Sequence, residues 1–251
     1  MNKCAPTVKS CRYHHADYGD VRITVNGRAR RIVGRWTGAE FRVTVPPNLP
    51  AFELERFFTE KYQWILEHKP APKYYIGQII DAGEVDFSIV EAWDTDKGDI
   101  FMTMVERSPK RYKFKNYYVH LTPTAVENIG RAEVQQYIHK LLIWGAKEAT
   151  GRYIVPHARE LAARIGRRPL GWAVKESKTR LGCCSSKGII TLSPRLIFLP
   201  TELREFVIFH ELAHLSEMNH SAAFHEICNR YCSGREAELS ARLRTFRFPL
   251  L

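Results

Sequence analysis

The chain has 251 residues, of which 45% are hydrophobic and 26% are charged, a composition typical of a soluble globular protein. The apolar runs, such as residues 206–209, are too short to cross a bilayer, and the polar residues 1–20 contain no secretory signal. The formal net charge of +11 favours anionic partners, nucleic acid among them, without identifying one.

The cysteines follow no regular disulfide spacing. They stand at positions 4, 11, 183, 184, 228 and 232. An adjacent pair such as Cys183-Cys184 rarely bridges to itself, so we expect free thiols. Free thiols favour a reducing, cytoplasmic location.

The first half of the chain is predicted to be rich in strands. Residues 1–20 are expected to form a flexible lead-in. Asn26-Gly27 lies between the apolar runs 21–25 and 29–33, and it predicts a β-hairpin because both residues tolerate positive φ. The further predicted elements are a strand over 40–45, a helix over 51–67 and short strands within 76–121.

The second half is predicted to be mainly helical, which gives an α+β fold. The predicted elements are two helices over 124–165 that meet near Pro156, followed by strands at 172–175 and 189–192. Three further helices are predicted: one over 201–216, one that begins after Ser221 and ends at Ser233-Gly234, and one that ends near Arg244. Thr201 and Ser221 are the predicted N-caps. We therefore expect a β-rich N-terminal region with one helix over 21–121 and a catalytic region over 122–251.

Residues 210–220 read HELAHLSEMNH, a pattern typical of a zinc site. His210 and His214 lie one turn apart on the predicted helix, so both imidazoles can reach one ion at roughly 2.0–2.1 Å. Glu211 lies beside this face and can take a proton from a zinc-activated water. The spacing predicts a metallohydrolase with one zinc ion per chain and Glu211 as general base.

A catalytic zinc site needs a third protein ligand and an open fourth position. His220 can supply this ligand if the helix breaks and the chain turns back, and Asn219 tolerates the left-handed conformation that such a break uses. His225 is the alternative, followed by Glu226 and Glu236. We expect His220.

The stretch from Val174 to Arg244 resembles the catalytic part of the YgjP-like family of bacterial zinc metallopeptidases, which is allied by its motif to SprT-type and WLM metallopeptidases. The family pattern is a Trp-Gly-Ser-Cys-Ser run, an apolar helix, His-Glu-x-x-His, Asn-His-Ser and a Phe. The corresponding residues are Gly182, Cys184, Ser185, Arg195, Leu196, Ile197, His210 to His214, Asn219, His220, Ser221 and Phe224. Leu181 and Cys183 depart from the family's Trp and Ser.

The resemblance implies a metallopeptidase with a zincin-like helical catalytic half. The family's metal ligands map onto His210, His214 and His220, and its catalytic glutamate maps onto Glu211. A β-hairpin beside the active-site helix is expected to bind an extended peptide along its edge. The candidate substrate-binding residues are Gly182, Cys184, Ser185 and Ser186, and Tyr231 and Arg195 are candidate oxyanion donors.

Two other interpretations stay open. One is a nucleic-acid-associated protease that acts on DNA-bound proteins, suggested by the charge of +11 and the SprT alliance. Arginines 22, 28, 30, 31 and 35 and the alternating cations and aromatics of residues 110–118 could contact nucleic acid, although a half-buried strand with a solvated basic face explains 110–118 better. The other is a non-catalytic, zinc-stabilised binding module, which would have no need of Glu211.

Overall fold

The protein is described by a computed structural model over residues 10–38, 40–93, 96–107, 114–177 and 179–249. Strands dominate the N-terminal half and helices the C-terminal half, so the predicted α+β class is confirmed. The chain forms two compact units, the first from residues 1–76, 91–100 and 121–138 and the second from 77–90, 101–120 and 139–251. The two units are interleaved in sequence, whereas the predicted boundary divides the chain once, after residue 121. That boundary therefore stays a prediction.

The first unit contains a four-stranded sheet in the order β1-β2-β4-β3. Its strands are β1 (Ser10–His15), β2 (Gly19–Val25), β3 (Val33–Thr37) and β4 (Glu40–Val45), and the helix α1 (Ala51–Glu67) follows. Alternation sends Val21, Phe41 and Val43 to one face, where they form a core with Ile65 of α1. The predicted bounds of α1 are confirmed.

The hairpin predicted at Asn26-Gly27 is wrong. β2 pairs in parallel with β4, and β3 pairs with β4 rather than with β2. Gly38, with φ 58°, provides the left-handed residue between β3 and β4. The physical reason is burial: the run 29–33 is interrupted by two arginines, whereas β4 alternates regularly and buries four of its six residues.

Residues 10–15 were expected to belong to the lead-in, and they form β1 instead. This strand pairs antiparallel with β2 from Ser10↔Thr24 to His15↔Gly19. Five of its six residues are exposed, so the strand carries no hydrophobic pattern that could have revealed it.

Asp20 at the start of β2 receives a hydrogen bond from a distant helix in the same unit. The amide of Ala132, in the first turn of α3 (Ala132–Ala149), donates to Asp20 Oδ2 at 2.6 Å. His14 Nδ1 lies 2.9 Å from Asp20 Oδ1. The carboxylate therefore caps the positive end of the α3 dipole from 112 residues away.

A second four-stranded sheet has the order β5-β6-β8-β7. Its strands are β5 (Ile79–Asp81), β6 (Val85–Glu91), β7 (Ile100–Arg107) and β8 (Phe114–Leu121). Residues 108–113 lie outside the described residues, so the structure does not test most of the alternation noted at 110–118. Tyr117 of β8 is fully buried and stacks on Phe87 at 5.0 Å, which supports a structural role for this part of the strand.

The helical stretch predicted over 124–165 is confirmed. It contains α2 (Pro123–Glu127), α3, a π-helical turn (Thr150–Ile154) and α4 (Val155–Arg164). The π-helical turn comes directly before Pro156, whose missing N–H and bulky ring do not fit an α-helix interior.

The elements around the candidate site all belong to the second unit. They are β9 (Gly171–Val174), β10 (Gly182–Cys184), β11 (Ile189–Leu192), a 3₁₀ turn (Pro194–Phe198), α5 (Thr201–Ala213), α6 (Ala222–Tyr231) and α7 (Glu236–Thr245). The strand order β10-β11-β9 leaves β10 at an edge. Among the described helices, none has the length and apolar character that spanning a membrane requires.

The two predicted N-caps have different outcomes. Ser221 caps α6, because its hydroxyl accepts a hydrogen bond from the Phe224 amide at 3.3 Å. Thr201 is wrong as the cap of α5: the extended residue before it, Pro200, occupies that position without a side-chain hydrogen bond. The start of α5 is held instead by buried Arg204, which pairs with Glu84 at 2.6 Å and donates to the Leu199 carbonyl at 3.0 Å.

Candidate active site

Three histidines converge where α5 ends. His210 lies in the last turn of α5, His214 terminates that helix, and His220 follows in the connection to α6. One ring nitrogen from each lies within 4.8 Å of the others, and His210 Nε2 is 3.1 Å from His220 Nε2. Tetrahedral zinc with Zn–N bonds of roughly 2.0–2.1 Å separates its nitrogen ligands by roughly 3.3 Å. The three imidazoles therefore fit a zinc ion.

The chain turns back after His214 through a tight helix end. The amides of Ser216 and Glu217 both donate to the Ala213 carbonyl, at 3.0 and 3.2 Å. Asn219 was expected to break the helix in a left-handed conformation, and this is wrong: the non-glycine residues with positive φ in the described chain are Asn48 and Ser233. The break precedes Asn219 because the backbone bonds at Ala213 already close the helix.

The same turn orients the His214 ring. His214 Nδ1 lies 3.0 Å from the Glu217 carbonyl oxygen. A carbonyl oxygen can only accept, so Nδ1 carries the proton and Nε2 keeps its lone pair. The turn therefore fixes the tautomer that a metal ligand requires.

Phe224 of α6 packs against all three imidazoles. Its ring centroid lies 4.9, 4.5 and 4.7 Å from those of His210, His214 and His220, and its side chain is fully buried. The Ser221 cap places Phe224 in the first turn of α6, facing α5. Phe224 thus restricts the orientation of each candidate ligand.

His210 and His214 are half-buried, and the pKa of each is lowered. Burial and the neighbouring imidazoles lower the pKa of His210 to about 4. Burial also lowers the pKa of His214, although its hydrogen bond to Glu217 opposes the shift. Neutral imidazoles at pH 7 leave their lone pairs available for a cation.

Glu211 is a buried carboxylate beside these ligands. Its side chain is almost fully buried, and Oε2 has no hydrogen-bond partner among the described residues. Burial raises the pKa of Glu211 to about 7, against the opposing effects of the Arg180 charge and a hydrogen bond from the Cys184 backbone. Such a carboxyl can change its protonation state near neutral pH.

Gly182 of β10 lies directly against the Glu211 side chain. A Cβ at position 182 would lie 2.6 Å from Glu211 Oε1 and 2.7 Å from its Cγ. Only glycine leaves room for the carboxylate in this position. β10 and α5 can therefore approach each other at this contact only because position 182 has no side chain.

The histidines and Glu211 open into a cavity of about 500 Å³. Its lining comes from the segment 179–184, α5 and the turn after it, and α7. The lining residues are Thr179, Arg180, Leu181, Gly182, Cys183, Cys184, Phe206, Val207, His210, Glu211, His214, Met218, His220, Ser240 and Leu243. Two of the four predicted substrate-binding residues, Gly182 and Cys184, are in this lining.

Ser185 and Ser186 lie in the turn between β10 and β11, outside the lining. Ser185 Oγ accepts a hydrogen bond from the Ile189 amide at 3.0 Å, which closes this turn. The hydroxyl is thus engaged within the hairpin.

The alternative ligands do not join the three histidines. His225 Nδ1 lies 2.7 Å from Glu236 Oε1, so these two candidates pair with each other, and Glu226 is exposed outside the group. The candidate oxyanion donors Tyr231 and Arg195 do not line the cavity. Tyr231 instead accepts a hydrogen bond from Arg167 Nε at 2.6 Å.

Arg180 is the residue that the sequence did not single out. Of the described residues that line the cavity, it alone carries a permanent positive charge. It precedes β10 in a run, Ser177 to Arg180, that has no recognisable spacing to the histidine motif. Only the fold shows its proximity to Glu211.

A family model described as the YgjP-like metallopeptidase domain matches residues 35–245. No curated protein matches the chain. Two similar solved structures are the metallopeptidase zymogens of Pyrococcus abyssi abylysin and Methanocaldococcus jannaschii jannalysin, with 26% and 22% identity and TM-scores of 0.32 and 0.31. Each comparison covers 35% of this chain and 89% of the other.

Proposed function

Because the chain belongs to the YgjP-like metallopeptidase family, we propose that it is a zinc-dependent peptidase that uses Glu211 as general base. His210, His214 and His220 are the proposed ligands of one zinc ion per chain. The observation that carries the proposal is the convergence of three imidazoles beside a buried carboxylate, one oxygen of which has no hydrogen-bond partner among the described residues. A structural zinc site has no need of that carboxylate.

When bound, zinc supplies Lewis acidity, which acidifies a water molecule and polarises the scissile carbonyl. The residues of the chain hold and move the proton. The Glu211 carboxylate accepts it from the attacking water, because one of its oxygens has no hydrogen-bond partner among the described residues. The same carboxyl then passes the proton to the leaving amine.

Two groups of β10 position the Glu211 carboxylate for this transfer. The Cys184 backbone hydrogen-bonds to it, and Gly182 leaves the space that it occupies. Arg180 is the proposed stabiliser of negative charge on the substrate, since it brings a cation to the cavity wall.

In this proposal, the backbone of the substrate binds along the edge strand β10. The Leu181 carbonyl accepts from the Ser193 amide, and the Ser185 amide donates to the Ile189 carbonyl, so these residues face β11. By alternation, the N–H and C=O groups of Gly182 and the C=O group of Cys184 face outward. An extended peptide that paired with them would place its carbonyl near Glu211 with little demand on side chains.

The described cysteines support a reducing compartment such as the cytoplasm as the place of action. Cys11, Cys183, Cys184, Cys228 and Cys232 all have free thiols. The proposed substrate is therefore an intracellular peptide or protein.

Removal and return of the metal test the proposed function. We expect elemental analysis of the purified protein to give one zinc per chain, and a chelator to abolish hydrolysis of a quenched fluorescent peptide library. Added zinc should restore hydrolysis in wild type but not in His210→Ala. Zinc binding without hydrolysis of any peptide by the wild type would favour the non-catalytic binding module instead.

A further inference from the structure

One arginine from each strand of the first sheet lies in a single row. In the strand register, Arg12 of β1 faces Arg22 of β2, and Arg22 faces Arg42 of β4. Arg42 in turn faces Arg35 of β3. Residues in register share a face, and the hydrophobic neighbours Val21 and Phe41 point to the opposite one, towards α1. We call these four residues the arginine row.

The arginine row is costly for the fold. Like charges directly opposite one another on neighbouring strands destabilise a sheet. Glu40 offsets part of this repulsion, since its carboxylate lies 3.1, 3.0 and 2.7 Å from the Nε atoms of Arg12, Arg22 and Arg42. Asp20 lies in register with Glu40 on the same face, so two carboxylates against four guanidinium groups leave a local charge of about +2.

Three of the four side chains of the row are ion-paired, and the row is open to solvent. Glu40 is nearly buried and ties three of the guanidinium groups to the sheet, whereas the side chains of Arg12 and Arg42 remain 61% and 42% exposed. Arg35 is exposed and has no ion pair with any described residue. A rigid array loses little entropy when it binds an anion.

The loop between β2 and β3 extends this charge. Arg28, Arg30 and Arg31 are exposed there, and within the described chain none of them forms an ion pair. The four residues of the row form a basic surface on the first unit, and the loop adds three exposed arginines, of which Arg31 lies beside Phe57 and Lys61 of α1.

We propose that this surface binds the phosphate backbone of nucleic acid without sequence preference. Strands are spaced by roughly 4.8 Å, so the row spans roughly 14 Å and can meet several phosphates at once. Guanidinium groups bind phosphate oxygens in a bidentate manner. The proposal is independent of the metal centre and its chemistry.

The other side chains of this face favour phosphate contacts over base or lipid contacts. Thr24, Thr37 and Thr44 accompany the row, and this face of the described sheet carries no Phe, Tyr or Trp side chain on which a base could stack. Val33 is its exposed apolar residue, too little to enter a membrane. Duplexes should therefore bind at least as well as single strands.

Fluorescence anisotropy with a labelled 20-base-pair duplex of mixed sequence tests the proposal on the full chain. The four phosphate contacts of the row alone predict at least a roughly hundredfold loss of affinity between 50 and 200 mM salt. The double variant Arg12→Gln/Arg35→Gln leaves Arg22 and Arg42 on Glu40, and it should make this loss roughly tenfold smaller. The same affinity measurement with a single DNA strand and with a single RNA strand of the same sequence compares these two sources of phosphate with the duplex.

The matched control is Arg56→Gln. Arg56 is an exposed arginine of α1, on the other side of the same sheet, and it pairs with Glu60. Its substitution removes one positive charge, whereas the row variant removes two, and it should change the affinity less than twofold. If the row variant fails to fold by circular dichroism, Arg28→Gln/Arg30→Gln in the loop provides a second test, and it should weaken binding at 50 mM salt at least tenfold.

Three outcomes would overturn the proposal. The first is the absence of duplex binding by wild type at 50 mM salt. The second is equal binding by wild type, the row variant and the loop variant. The third is binding to vesicles that contain phosphatidylserine, without binding to nucleic acid, which would identify a lipid surface as the partner.

Discussion

Gly182→Ala should uncouple hydrolysis from metal binding. The added Cβ would lie 2.6, 2.7 and 2.8 Å from Oε1, Cγ and Cδ of Glu211, where ordinary contacts between such atoms begin near 3.4 Å. The carboxylate must therefore move by about 1 Å. A displacement of about 1 Å in an active site can lower the rate about 10²-fold, which corresponds to about 2.7 kcal/mol of transition-state stabilisation.

Metal binding should be affected little, because the three atoms nearest to the added Cβ all belong to Glu211. We expect kcat/KM for a fluorogenic peptide to fall about 10²-fold while zinc content and zinc affinity stay within about threefold of wild type. The assay combines peptide hydrolysis, elemental analysis and competition with a chromophoric chelator.

Gly171→Ala is the matched control in the same sheet. A Cβ at position 171 of β9 would meet only Ile189 Cγ1, at 4.0 Å, so this variant should keep its activity. Two results would refute the reasoning: a Gly182→Ala protein as active as wild type, or one that loses its zinc together with its activity. The second result would mean that Gly182 supports the whole site rather than the position of Glu211.

Three further predictions follow from the contacts around the site and the first unit. Phe224→Ala should lower the free energy of unfolding by about 3–5 kcal/mol and weaken zinc binding, because it removes the ring that packs on all three imidazoles; an unchanged melting curve would contradict this role. His220→Ala should weaken zinc binding far more than His225→Ala in chelator competition, and the reverse order would identify the other histidine as the ligand. Asp20→Asn should cost about 1 kcal/mol at pH 7, since the carboxylate caps α3 at the Ala132 amide. Burial raises the pKa of Asp20, but hydrogen bonds with His14 and Ala132 outweigh it, so the folded pKa lies below the ordinary value. The contribution of Asp20 is therefore complete above about pH 4 and is lost as the pH falls through the folded pKa. Melting curves of both proteins should differ at pH 7 and converge as the pH falls through the folded pKa of Asp20, and a constant difference would contradict the assignment.

The features that the sequence predicted well depend on short spacings. The bounds of α1 and the junction at Pro156 follow from local periodicity and from the geometry of proline. His210 and His214 converge because they are four residues apart on one helix. Such features need no knowledge of how distant segments pack.

The features that the sequence did not predict depend on pairing between distant segments. Asn26-Gly27 has the composition of a hairpin turn, yet β2 gains a better-buried partner in β4, and this choice is not encoded in the turn itself. Gly182 meets Glu211 across 29 positions, and nothing in either neighbourhood signals that contact. Arg180 reaches the cavity for the same reason.

Glu211→Gln measured at equal zinc content is the most direct test of the central claim. The amide keeps the shape of the side chain but cannot accept a proton from water. We expect wild type and variant each to carry one zinc per chain, with peptide hydrolysis by the variant about 10²–10⁴-fold slower. Equal rates of hydrolysis by the two zinc-loaded proteins would contradict the role of Glu211 as general base.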